Sequence, residues 1–379
     1  MKSFQFFYGP RLRSGPGASC RIAELLPRGL CLFVTDEQVL RLGLADGALS
    51  GLEDAGNECV IFDAVESDPS RETLMKAVEA GRGCGSVIGF GGGSPMDVAK
   101  LAAYLLGSGD DLDTLWGVGK ATGARLPLVL VPTTAGTGSE ATPVTVITVG
   151  ETEKRGVSSP ALIADWAVLD AGLTLGLPPA VTAATGMDAM VHAIEAYTSA
   201  RLKNPVSDTL AREALSLLDS NLLRVCDQPG DVEARGKMLL GAHLAGVSFA
   251  NAPVAGVHAL AYPLGGHFHV PHGLSNALML PHVLSHNMPS AMPLYAELAC
   301  HLDPGLKPLE LQGQARALVE RLAALSREAG LPQRLREVGV EAAHLPMLAS
   351  EAMKQERLLV NNPHPIPEAD ALRLYQAAL

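Results

Sequence analysis

The sequence predicts an α/β domain built on a parallel sheet over residues 1–175, followed by an all-helical domain over residues 176–379. Three observations predict this. In the first half, short uninterrupted apolar runs alternate with amphipathic stretches, the pattern of strands buried on both faces and the helices that cover them. Two of those runs lead directly into turns rich in glycine or hydroxyl groups. Beyond Pro178 the β-branched runs give way to Ala, Leu, Met and Glu at helical spacing.

Taken in order, residues 30–36, 58–63, 86–90, 126–132 and 164–170 read as strands, with helical stretches at 71–82 and 96–106. Pro178-Pro179 suits a helix start. The segment Gly186-Met-Asp-Ala-Met-Val-His-Ala-Ile-Glu-Ala-Tyr197 reads as an apolar helix, and helical spacing recurs at 207–225, 232–247, 294–302, 311–328 and 368–378.

Bulk properties narrow the function. A chain of 379 residues with 47% hydrophobic and 18% charged content can build two cores and is not disordered. Aromatics at 4% leave those cores aliphatic. The net charge of −11, with no basic cluster, argues against nucleic acid and anionic membrane as partners. No run of apolar residues reaches membrane-spanning length, and the first residues lack the apolar core of a secretion signal. The six cysteines are scattered without a Cys-x-x-Cys pair, as expected of reduced thiols in a cytoplasmic protein.

Four segments carry chemistry. In Gly89-Phe-Gly-Gly-Gly-Ser-Pro-Met-Asp-Val-Ala-Lys100, consecutive glycines allow backbone N–H groups to approach an anion at a helix start, so Gly92, Gly93, Ser94 and Asp97 are candidate pyrophosphate contacts. A tight strand–helix turn, with Ser94 and Asp97 as capping residues, is the competing reading. The stretch from Thr133 to Thr142 packs five hydroxyls and two glycines behind a strand. Thr133, Thr134 and Ser139 are its candidate ribose and phosphate contacts; a surface loop with a helix cap is the alternative. Asp36 follows the first strand, where an acid can bond a ribose hydroxyl and repel a 2′-phosphate, or simply cap the next helix. Finally, Asp188 and His192 stand four apart on one helical face, and His258, His267, His269 and His272 crowd into fifteen residues. Asp188, His192, His258 and His272 offer one carboxylate and three imidazoles, a set suited to Fe(II) or Zn(II). His267 and His269 taken singly also fit a cleft-lining role.

Together these segments resemble the iron-containing (group III) alcohol dehydrogenases. The matching pieces are Gly91 to Asp97, Pro132 to Glu140, Gly186 to Glu195, and His258 through Pro271-His-Gly273. The resemblance implies a Rossmann-like N-terminal domain and an all-α C-terminal domain, the dehydroquinate synthase-like architecture. It implies NAD and a divalent metal, Fe(II) by family and Zn(II) as an alternative, with Asp188, His192, His258 and His272 as ligands. It also implies cofactor contacts from Asp36, Asp68, Gly92, Gly93, Ser94, Thr133, Thr134 and Lys154. Many family members carry a histidine four residues after the ligand matched by His258. Here that residue is Tyr262, so Tyr262 and His267 are the candidates for the proton path.

The expected activity is interconversion of a small-molecule alcohol and an aldehyde or ketone with NAD(H), by a homodimer or larger homo-oligomer. The alternatives are a hydroxyacid–oxoacid transhydrogenase or another NAD-using enzyme on the same scaffold. A maleylacetate reductase, or a non-catalytic metal- or nucleotide-binding protein, fits less well because the ligand set is complete.

Overall fold

The computed structural model describes residues 3–150 and 153–379. The chain divides into two compact units: one runs from Tyr8 to Gly176, and the other combines Leu177 to Leu379 with the N-terminal segment ending at Phe7. The sequence reading placed that segment with the sheet. Asn251 is the physical reason it lies elsewhere. Its side-chain amide accepts from the Phe7 N–H at 2.8 Å and donates to the Phe7 carbonyl at 2.8 Å, satisfying an extended backbone as a neighbouring strand would.

The first unit contains strands β1 (Arg11–Ser14), β2 (Leu30–Val34), β3 (Glu58–Phe62), β4 (Ser86–Gly91), β5 (Gly117–Val118), β6 (Leu128–Pro132), β7 (Val144–Val149), β8 (Glu153–Ser158) and β9 (Trp166–Leu169). Its helices are α1 (Glu37–Arg41), α2 (Asp46–Asp54), α3 (Arg71–Ala80) and α4 (Gly93–Ser108). Six strands form a parallel sheet in the order β1-β9-β6-β4-β2-β3. Leu32, Val34, Val87, Leu128 and Leu130 enter one hydrophobic cluster, while Cys31, Phe33, Ile88, Val129 and Val131 enter another. Successive side chains therefore point to opposite, equally covered faces, which is why these strands read as unbroken apolar runs.

Two details depart from the sequence reading. Helix α4 starts at Gly93 rather than near residue 96, because Pro95 sits in the first turn, where a missing N–H costs nothing. The small sheet β5-β8-β7 and the edge strand β1 were not foreseen, since Glu153–Ser158 and Arg11–Ser14 are polar and two-residue β5 carries no pattern.

The second unit is helical among its described residues: α5 (Pro179–Thr198), α6 (Pro205–Asp227), α7 (Val232–Asn251), α8 (Gly256–Phe268), α9 (His272–Leu302), α10 (Leu311–Glu328), α11 (Leu345–Met353), α12 (Glu356–Leu359) and α13 (Glu368–Ala378). Helix α5 is buried along almost its whole length and packs on α6, α7 and α9, which explains its lack of a charged face. The expected helix at 294–302 is only the last part of the 31-residue α9, which runs through Pro281, Pro289 and Pro293. Each proline removes one ladder bond, but packing on α5, α8, α10 and α13 keeps α9 continuous. No single helix among the described residues is long and apolar enough to cross a membrane.

Candidate functional site

In the helical unit, α5, α8 and α9 bring Asp188, His192, His258 and His272 together. One potential ligand atom from each lies within 4.8 Å of all the others. Asp188 Oδ1 is 3.5 Å from His272 Nε2 and 3.9 Å from His258 Nε2. The His192 ring stacks between Phe249 and His258, at centroid distances of 4.4 and 4.7 Å. Burial alone would push the Asp188 carboxyl upward. The neighbouring His192, His272 and His258 and the Asn276 amide more than offset this, holding it below the ordinary carboxylate range. An anionic carboxylate facing three imidazoles in a buried setting is a donor set for a borderline divalent cation. His272, with its side chain 42% exposed, marks the open side.

The site depends on close helix approach. A Cβ built on Gly273 would lie 2.3 Å from the Ala184 carbonyl oxygen and 3.2 Å from Asp188 Cβ. Helix propensity alone would favour alanine in α9 by about 1 kcal/mol, but a backbone oxygen at that distance cannot yield. Gly273→Ala is therefore expected to lower stability by about 1–3 kcal/mol and to push His272 away from Asp188. Thermal unfolding and the affinity for divalent metal check both effects. A variant as stable as the parent, with parental metal affinity, would show that α5 and α9 need not touch here.

Two supporting residues escaped the sequence reading. Glu195 Oε2 is 2.7 Å from His258 Nδ1, and its oxygens also accept from the Ala255 N–H at 2.8 Å and the Val257 N–H at 2.6 Å. Asn276 Nδ2 donates to Asp188 Oδ1 at 2.6 Å and lies 3.2 Å from Nε2 of both His258 and His272. The signal was present. Asp188, His192 and Glu195 are spaced i, i+4, i+7 on α5, and His272 and Asn276 are spaced i, i+4 on α9, so each set shares one face.

Tyr262, one turn after His258 on α8, puts its ring 5.8 Å from the His272 ring, with the Arg357 guanidinium 6.0 Å from its face. His267 is not brought in. It is exposed near the end of α8, nine residues from His258 and thus about half a turn around the helix. His269 is the left-handed residue that ends α8.

In the sheet unit, the carboxyl ends of the adjacent central strands β2, β4 and β6 lead into Asp36, the glycine turn and the hydroxyl-rich loop. The Thr133 N–H donates to the Gly91 carbonyl at 2.9 Å, joining the glycine turn to the hydroxyl-rich loop. Gly91 has φ +148, and a Cβ there would meet Pro95 at 2.8 Å and Asp36 Oδ2 at 3.3 Å. One on Gly92 would meet Thr134 Oγ1 at 3.9 Å, and one on Gly93 would meet Thr137 at 3.0 Å. Asp36, Gly92, Gly93 and Thr134 therefore gather at one sheet edge, the region where open α/β sheets bind ligands. Ser94 occupies the first turn of α4, whose start has no side-chain cap and no acidic residue, so its N–H groups suit an anion.

Asp36 also caps α1, its Oδ1 accepting from the Val39 N–H at 2.9 Å. Asp97 and Ser139 spend their polar atoms on the fold: Ser139 Oγ donates to Asp97 Oδ1 at 2.6 Å, and the Val146 N–H donates to Oδ2 at 2.8 Å. They tie the loop and β7 to α4. Asp68 and Lys154 pair with each other at 2.5 Å, and the Thr148 hydroxyl donates to the Asp68 carbonyl at 2.9 Å. That pair sits at the β7–β8 hairpin, opposite Thr148, two residues along β7 from Val146.

Residues 9–171 match the family model "Iron-containing alcohol dehydrogenase", and residues 182–379 match "Fe-containing alcohol dehydrogenase family, C-terminal". The chain is 41% identical over 352 residues to long-chain-alcohol dehydrogenase 1 of Geobacillus thermodenitrificans, covering 92% of this chain and 89% of that protein. It superposes on a crystal structure of 1,3-propanediol oxidoreductase with a TM-score of 0.96 at 34% identity, covering 100% of both chains. For sulfoacetaldehyde reductase from Bifidobacterium kashiwanohense in complex with NAD+, the TM-score is 0.88 at 25% identity, covering 100% of this chain and 99% of that one.

Proposed function

Because the chain belongs to the iron-containing alcohol dehydrogenase family, we propose that Asp188, His192, His258 and His272 hold a divalent metal and that the sheet edge at Asp36, Gly92, Gly93, Ser94, Thr133 and Thr134 holds NAD. The activity of the family is the interconversion of an alcohol and an aldehyde or ketone. The observation that carries the metal assignment is the convergence of four donor atoms from three helices within 4.8 Å. Fe(II) is the proposed metal on family grounds, with Zn(II) served by the same donors.

When bound, the metal supplies Lewis acidity toward the substrate oxygen and the dinucleotide supplies or accepts the hydride. The protein's part is position and proton handling. Asn276 steadies the Asp188 carboxylate by its 2.6 Å hydrogen bond. His272 leaves the open side from which a small alcohol enters. Tyr262, beside His272, offers the substrate hydroxyl a hydrogen-bonding partner in place of the histidine common in the family. Asp97 and Ser139 shape the dinucleotide loop through bonds within the fold, and Asp68 with Lys154 borders it at the hairpin.

Metal analysis of protein purified without oxygen, paired with NADH-monitored assays over short alcohols, diols and hydroxy acids, tests this reading. Stoichiometric Fe or Zn and metal-dependent NADH formation are expected; metal-free protein with full activity would refute it. A cofactor that stays bound and never exchanges would favour the transhydrogenase alternative. That all six cysteines are free supports a cytoplasmic setting, and the exposed edge strand β1 supports self-association into a dimer or larger oligomer, which light scattering measures.

The preference for NAD rests on Asp36. Asp36→Ser keeps a capping oxygen for α1 but removes the charge that would repel a 2′-phosphate. The ratio of kcat/KM for NAD to that for NADP is expected to fall by roughly tenfold, about 1.4 kcal/mol. An unchanged ratio would reduce Asp36 to a helix cap.

A further inference from the structure

We infer that Glu195 is a positioning residue of the metal centre: it fixes His258 in the tautomer protonated on Nδ1, which turns the Nε2 lone pair toward Asp188 and His272, and it ties that ring to the start of α8. The inference rests on the metal assignment proposed above and adds a residue and a mechanism to it.

The argument starts from the donors around one carboxylate. Ala255 and Val257 offer backbone N–H groups, which can only donate. They meet Glu195 Oε2 at 2.8 Å and Oε1 at 2.6 Å, so both oxygens act as acceptors. The third neighbour, His258 Nδ1, lies 2.7 Å from Oε2, and the hydrogen in that contact comes from the ring. A neutral imidazole protonated on Nδ1 has its lone pair on Nε2. Nε2 is the atom directed at the cluster, 3.9 Å from Asp188 Oδ1. Glu195 is 4% exposed at its side chain and His258 is 2% exposed, so water does not compete for either partner.

The placement of Glu195 explains how a residue outside the ligand set can control it. It shares the face of α5 that carries Asp188 and His192, seven and three residues earlier. Helix α8 lacks a side-chain cap of its own, since its N-cap residue is Ala255. Glu195 supplies that cap from α5 and, with the same carboxylate, sets the ring at the third position of α8. Glu195 therefore links the α5 face that carries two ligands both to the backbone start of α8 and to the ligand on it.

A cap alone would affect folding but leave the intrinsic metal affinity unchanged. Glu195→Gln separates the two roles. The amide presents one acceptor and one NH2 donor where the carboxylate presented two acceptors. One orientation sets its NH2 against the Val257 N–H. The other turns its NH2 toward His258 Nδ1, which then accepts, and the ring proton moves to Nε2, where it blocks metal binding.

The test is Zn(II) affinity of metal-stripped full-length protein near neutral pH, by competition with a chromophoric chelator. Glu195→Gln is expected to bind Zn(II) about 10- to 100-fold more weakly than the parent, and Glu195→Asp, which keeps the charge but shortens the reach, is expected to fall between them. Equal affinity in Glu195→Gln and the parent would overturn the inference while leaving the metal site itself intact. A parent that binds no Zn(II) or Fe(II) would instead overturn the metal assignment. The tautomer is read directly on unmutated, metal-free protein by histidine-selective 15N NMR, with the His258 signals identified by their loss in His258→Asn. Protonated Nδ1 is expected; protonated Nε2 would overturn the inference even if no Glu195 variant folds.

Discussion

His258→Ala is expected to abolish stoichiometric metal binding and to reduce NAD-dependent alcohol oxidation by at least about 10³-fold. The size follows from what is lost. Lewis-acid stabilisation of a reacting oxygen contributes several kcal/mol, and each 1.36 kcal/mol corresponds to roughly tenfold in rate. His258 is held on several sides. Its ring lies 4.7 Å from the His192 ring and 5.4 Å from the His272 ring, and its Nδ1 is held by Glu195. Removing it also leaves the buried Glu195 carboxylate without its side-chain partner, an added cost in stability. Metal content and kcat/KM should therefore fall together, and added Zn(II) or Fe(II) should fail to restore activity at concentrations that saturate the parent. A variant that keeps both its metal and its rate would show that the cluster of α5, α8 and α9 is not the catalytic centre. Tyr262→Phe is the informative contrast, because it spares the four donors and should lower turnover without changing metal content.

The parts of this molecule that were legible in the sequence are those where one local pattern determines the structure. Strands β2, β4 and β6 are buried on both faces, so residues such as Leu32 and Phe33 are apolar whichever way they point, and the run is visible without tertiary knowledge. Gly91 stands out because its positive φ and the approach of Pro95 exclude a Cβ, and Gly93 because Thr137 crowds the place a Cβ would take. Asp188 and His192 announce themselves as polar residues one turn apart in an otherwise apolar helix. What stayed hidden depends on contacts between distant segments. The length of α9 was masked by Pro281, Pro289 and Pro293, whose cost is met by neighbouring helices. Asn276 reads as an ordinary polar residue because Asp188 on α5 and His258 on α8, two of the three side chains it meets, come from distant segments. His267 lies five residues beyond Tyr262, but its phase on α8 turns it to the face opposite His258, which spacing in sequence does not show.

The second large effect concerns stability and lies in the sheet unit, at a lysine with no solvent exposure. Lys100, in the middle of α4, directs its ammonium at the Val144 carbonyl at 2.6 Å, with Asp97 Oδ1 at 3.2 Å and the Thr142 hydroxyl at 3.4 Å. Burial lowers its pKa, and the charges of Asp97 and Glu140 pull it back. Lys100→Met nearly preserves length and packing but removes every donor. Asp97 then loses its cation while still holding Ser139 and the Val146 N–H, and the Val144 carbonyl loses its partner. Breaking a buried pair in this way typically costs 3–5 kcal/mol, and about 3 kcal/mol is expected here because Asp97 keeps two other bonds. Denaturant unfolding of the sheet unit measures it, and a stability within about 1 kcal/mol of the parent would show that the ammonium is not needed. The same loss should loosen the loop from Thr133 to Thr142 and weaken NAD binding, while Zn(II) affinity at the helical unit stays at its parental value. The pH dependence carries an independent signature. Because the folded pKa lies below the unfolded value of about 10.4, the unfolded chain binds more protons in the window between them, so parental stability rises with pH across that window. Lys100→Met should lack that rise, and a parallel slope in parent and variant would mean that another group governs it.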